Sequence, residues 1–115
     1  MCIRDRSGLA AALVTLASES RIPVEIEELD EGRYPSSVET AVFLAVDEAV
    51  ADAARRNATH ARIRVARDGV VLVAEVTDDG VERSAASLAA EDRIGALGGS
   101  IDTGATALRV GVPCA

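Results

Sequence analysis

The stretch DEAVADAARR, residues 47–56, holds the residue types from which phosphate chemistry is assembled. Glu48 and Asp52 lie one helical turn apart, so on a helix both carboxylates leave the same face, and Arg55 and Arg56 follow within the next turn. One carboxylate can serve as a general base, a second can offer a hard oxygen to a divalent cation, and a guanidinium can meet a phosphate. Like charges at this spacing cost a helix a few tenths of a kcal/mol. The bland alternative is a solvated helix face on which the two arginines screen the carboxylates. A second cluster, Asp78-Asp79-Gly80, is an ordinary turn signal. Its place after an apolar run and before a helix makes Asp78 a candidate contact as well. His60, the single histidine, lies at the start of a strand and reads as a surface residue.

Those residues need elements to hold them. GLAAALVTLASES (8–20) is apolar at nearly every position and reads as a packed helix, and IPVEIEEL (22–29) alternates as a strand with one wet face. DEGRYPSS (30–37) is a loop in which Ser36 or Ser37 can cap the next helix, with Glu39 in its first turn. Val38, Val42, Ala45, Val46, Ala49, Val50 and Ala53 then keep the helical period over 38–56, and Asn57 is a plausible stop. HARIRVARDG (60–69) alternates as a strand, and its terminal RDG turns into a second, more buried strand over 70–80. A polar connection (81–87) leads to a helix over 88–100 ended by Gly98 and Gly99, and SIDT and ALRVGVP form two last strands around Gly104. Paired strands with interspersed helices predict an α/β (α+β) two-layer sandwich: a mixed, mainly antiparallel sheet with about three helices on one face.

The chain of 115 residues fits one domain. Its hydrophobic fraction is 49% but its aromatic fraction only 2%, so the core must be built from Ala, Val, Leu and Ile. A net charge of −7 argues against nucleic acid as a partner, though not against a nucleotide carried with Mg²⁺. Cys2 and Cys114 imply neither a disulfide framework nor a metal site. No apolar run approaches the ~20 residues that span a bilayer. The opening MCIRDR is what the DNA ATGTGTATAAGAGACAG encodes as far as its fifth codon, and that DNA resembles a transposon-end adapter used in library preparation. Residues 1–7 are therefore expected to be a cloning or sequencing scar, with the domain proper over 8–115 and the natural protein continuing upstream of Gly8.

The ordered set of motifs resembles the ATPase domain of sensor histidine kinases, which has the Bergerat fold. GLAAAL at the start and RIGALGGSIDT near the end are similar to the NarL/DesK-type branch, whose pattern runs GLxxAL, EAxxNAxxHA, DDGxG, a glycine-rich lid, RxxxLGG and GTxxxxxxP. The resemblance covers residues 8–113. It implies that Glu48 polarises the attacking group near the γ-phosphate of ATP and that Asp52, where the family has Asn, ligates Mg²⁺. It implies further that Arg55 lies near the phosphates, Asp78 accepts from the adenine amino group, Gly80 lets the purine approach the backbone, and Thr106 belongs to the nucleotide site. The implied function is transfer of the γ-phosphoryl to a histidine on an upstream dimerisation and phosphoacceptor domain, with a response regulator as the next partner. Homodimerisation would come through that upstream region alone, and the domain would be cytoplasmic in a parent that can be membrane-anchored.

The sequence departs from the family at several glycines. Glu82 replaces the second glycine of DDGxG, Ala86, Ser87, Ala89 and Ala90 stand where lid glycines are expected, and Ala105 precedes Thr106. Glycine-rich loops hold phosphates because their amides converge without Cβ obstruction, so weak nucleotide binding is expected. A degenerate binding module of the same fold without ATP turnover is the alternative, and an anti-sigma-type serine kinase is a third reading.

Overall fold

The computed structural model describes residues 8–30, 32–80, 88–104 and 107–113. Residues 1–7, where a scar is expected, the polar connection at 81–87 with Glu82, Ala86 and Ser87, the pair Ala105 and Thr106, and both cysteines lie outside the described residues. Among the described residues, three helices and five strands follow in the order α1 (Leu9–Glu19), β1 (Val24–Leu29), α2 (Ser36–Arg55), β2 (Ala61–Asp68), β3 (Val71–Asp78), α3 (Leu88–Gly95), β4 (Ser100–Thr103) and β5 (Ala107–Pro113). The strands form one sheet in the order β1-β2-β3-β5-β4. Only the β1–β2 pairing is parallel, with α2 as its crossover, and the other three are antiparallel. This is the mixed, mainly antiparallel two-layer sandwich that the periodicity predicts.

Side-chain alternation assigns the two faces. Ile63, Val65, Leu72, Ala74, Val76, Leu108, Val110 and Val112 are buried under the helices. The positions between them carry an exposed ladder in which Glu28, Arg64, Glu75 and Arg109 alternate in sign across four strands. Helix α2 lies across β2, β3 and β5, with α1 on one side of it and α3 on the other. Its buried stripe of Val38, Ala41, Val42, Ala45, Val46, Ala49, Val50 and Ala53 repeats at helical spacing. The small residues in that stripe let the helix sit close to a sheet made of β-branched side chains, which is how a core with so little aromatic volume closes.

Two boundaries differ from the sequence reading. Helix α2 starts at Ser36, and neither Ser36 nor Ser37 caps it: Pro35 holds the cap position and makes no side-chain bond. Glu39 does that work instead, accepting from the Tyr34 backbone N–H at 3.1 Å and pairing with Arg33 at 3.1 Å. Proline fixes the backbone at the entry, and the Glu39 carboxylate in the first turn reaches back to an amide just before the helix. Helix α3 is shorter than 88–100. It ends at Gly95, after which Gly98 takes φ +79 and the amides of Gly98 and Gly99 bond back to the carbonyls of Gly95 and Ile94. That paired closure is a Schellman motif. Asn57, with φ +63, ends α2 as its residue type suggests.

Candidate functional site

The C-terminal turn of α2 and the C-terminal end of β3 meet at one corner of the sheet. Arg56, immediately after α2, carries its side chain into that corner and is 9% exposed. Its Nε donates to Asp52 Oδ2 at 2.7 Å, while Nη1 and Nη2 donate to Asp78 Oδ1 and Oδ2 at 3.2 and 2.8 Å. One guanidinium thus spans two carboxylates that are distant in sequence. The Asp78 side chain is 0% exposed. Its Oδ1 also accepts from the Gly80 N–H at 2.9 Å. The Asp78-Asp79-Gly80 signal is therefore both an Asx turn and the wall of a buried ion pair. The hydrogen bond to Asp78 is the largest effect on the Arg56 pKa and raises it; desolvation opposes it, and the bond to Asp52 adds to the rise, so the net direction is upward.

Asp79 faces the other way and fastens the α2–β2 connection. It accepts from the backbone N–H groups of Thr59 and His60 at 2.7 and 3.2 Å, and from the Thr59 hydroxyl. Those bonds, the Thr59 hydroxyl first, hold its pKa down to about 2. His60 sits beside it, 48% exposed and 3.4 Å from Asp79 Oδ2, a surface residue at the mouth of β2. Gly80 packs against the same connection. A Cβ there would lie 3.2 Å from both the Ala58 Cβ and the Arg56 carbonyl oxygen.

The nominated residues separate into two groups. Asp52, Asp78 and Gly80 come together around Arg56, which the sequence reading had counted among screening surface arginines. Its spacing to Asp52 suggests an i,i+4 pair, but Arg55 has an equally usable i,i+3 spacing, so nothing local marks Arg56 for burial. Glu48 is exposed on α2, one turn before Asp52. Arg55 is 63% exposed and touches Asp52 Oδ1 at 3.5 Å. It also borders a groove of about 730 Å³ between α1 and α2, floored by Leu16, Phe43 and Val50. Glu48, Asp52, Asp78 and Gly80 do not line that groove. Of the expected lid, Ala89 is exposed and Ala90 buried in the first turn of α3, and Thr106 is outside the described residues.

Asp52 and Asp78, which the resemblance nominates for Mg²⁺ and the adenine amino group, both bind Arg56 here, so as placed they fit a guanidinium rather than those groups. Among the described residues no group of three or more His, Cys, Asp or Glu is placed to hold a metal ion, and no helix is long and apolar enough to cross a membrane.

No protein-family model matches the sequence, and no curated protein does. Among solved structures, the histidine kinase AdeS of Acinetobacter baumannii superposes with a TM-score of 0.57 at 12% sequence identity. The match covers 92% of this chain and 61% of AdeS, so the chain spans less than two thirds of that structure's length. The chain has a histidine-kinase-like fold. At that identity the kinase-like likeness is one of architecture: the five-stranded mixed sheet and its single layer of three helices.

Proposed function

We propose that this kinase-like domain is the ATP-binding catalytic domain of a two-component sensor histidine kinase of the NarL/DesK type. Its task would be to pass the γ-phosphoryl of ATP to a histidine on a dimerisation domain, from which a response regulator takes it. The observation that carries this reading is the convergence of Asp52 and Asp78 at one corner of a histidine-kinase-like fold, from the two elements that the motif resemblance nominates. In this reading Glu48, on the same face of α2, would be the polarising carboxylate, and the exposed Arg55 beside Asp52 would supply a counter-charge to the γ-phosphate. Catalysis of this kind is positioning and electrostatic stabilisation, for which ATP supplies the phosphoryl and Mg²⁺ the neutralising charge. No step is drawn through either group, because both acidic anchors are held by Arg56 in this structure.

Titration calorimetry with a non-hydrolysable ATP analogue, with and without Mg²⁺, tests the proposal. The expected affinity is poor, ~1 mM or about −4 kcal/mol, because alanines and serine stand at the lid's glycine positions. A second reading is favoured by the Arg56 clamp itself: a degenerate module of this fold that works through protein contacts without ATP turnover. Absence of heat at several millimolar nucleotide, in the wild type and in Asp52→Asn alike, leaves that second reading standing.

A further inference from the structure

We propose that Arg56 is an internal occupant of the nucleotide site, a guanidinium that holds Asp52 and Asp78 closed and must swing out before ATP enters. The inference rests on the kinase reading of the same corner and adds its regulation. Three observations carry it. The carboxylate oxygens of Asp78 accept from Arg56 or Gly80, and no part of that side chain reaches the surface. An adenine amino group is a neutral donor, and the charge-assisted bidentate pair it would have to replace is about twice as strong per bond. Asp52 also gains a meaning that metal ligation alone does not supply. An amide at this position would meet the Arg56 Nε–H with a neutral oxygen, whereas the carboxylate makes that 2.7 Å bond charge-assisted.

The geometry also provides a way out. The Arg56 backbone N–H stays bonded to the carbonyls of Asp52 and Ala53 whatever its side chain does, so release needs rotation about side-chain bonds and no unwinding of α2. Arg55 already touches the other oxygen of Asp52 at 3.5 Å and can hold that charge when Arg56 leaves. A site that is competent only in the released state binds with an affinity reduced by the fraction released. The closed guanidinium therefore weakens binding on top of any loss at the lid.

Two measurements test this. The first follows the Arg56 Nε–H by ¹⁵N NMR in the wild-type protein during titration with a non-hydrolysable ATP analogue and Mg²⁺. Saturation should shift that resonance and remove its protection from solvent exchange. The second compares analogue affinity in the wild type and Arg56→Gln, where binding should tighten by about 10-fold or more. If the analogue binds and the Nε–H keeps its shift and protection, or if folded Arg56→Gln binds no more tightly, the clamp is wrong while the kinase reading survives. If the wild type does not bind and Arg56→Gln either fails to bind or fails to fold, the kinase reading falls and takes the clamp with it.

Discussion

The Asp78 carboxylate is 0% exposed and pairs with the Arg56 guanidinium at 2.8 Å. Removing one partner of such a pair strands the other, which typically costs about 3–5 kcal/mol. Asp78→Ala should accordingly lower the unfolding free energy by about 3 kcal/mol in the complete absence of nucleotide, as read from urea denaturation. A loss below about 1 kcal/mol would mean that the residue is kept for a ligand and not for the fold. Its neighbour Asp79 makes a prediction about pH. Its carboxylate is depressed from the ordinary 3.8 to about 2. The folded state therefore binds its proton more weakly than the unfolded chain does. The stabilisation is complete above the ordinary value and disappears as pH falls through about 2. The wild type should lose its stability advantage over Asp79→Asn between about pH 4 and about pH 2. An advantage that stays constant across that window would show that the Thr59 and His60 bonds are not what depresses Asp79.

At the scale of elements, the connections constrain the chain more tightly than the helices and strands do. The α3–β4 connection passes under β5 at Gly99, where a Cβ would run into the Gly111 carbonyl oxygen and sit 2.9 Å from Ile94 Cγ2. A backbone oxygen in a sheet ladder cannot give way as a flexible side chain can. Gly99→Ala should therefore cost about 2 kcal/mol or more, measured by the thermal midpoint. The neighbouring glycine serves α3 through its left-handed φ; Gly99 serves the packing. Both were legible in the sequence as a helix stop, but only the position of β5 shows that the second is needed for space. The same holds for α2, whose stripe and C-terminal stop follow from residue types, while its N-terminal cap does not. Two serines look like caps, but Pro35 and Glu39 settle the entry first.

For the whole molecule, the load falls on aliphatic packing between one sheet face and three helices. Leu13 is fully buried between α1 and the rest of the core. Leu13→Ala should cost about 2–5 kcal/mol, whereas breaking any one pair of the outer charge ladder should cost no more than about 1 kcal/mol. Urea midpoints of Leu13→Ala and Glu28→Ala, the latter removing the Glu28–Arg64 pair, compared at low and moderate salt, check both. The groove between α1 and α2 is lined by neither Asp52 nor Asp78, and Arg55, which borders it and touches Asp52, is the residue it shares with the corner.

Local pattern alone determined the element order, the mixed sheet with one wet face, the aliphatic core and the motif positions. Each depends on a period of two or 3.6 residues, or on a turn residue, and such signals act between near neighbours. Tertiary structure decided which arginine matters. Arg55 and Arg56 are adjacent and chemically identical, and no periodicity separates them at the end of a helix. The difference arises because α2 stops where the residue that caps its C-terminus can point toward the end of β3, placing Arg56 against Asp78 and leaving Arg55 in water. That outcome depends on how a helix and a strand from separate parts of the chain are packed. It turned a pair of carboxylates that looked like a ligand site into a site already holding a cation of its own.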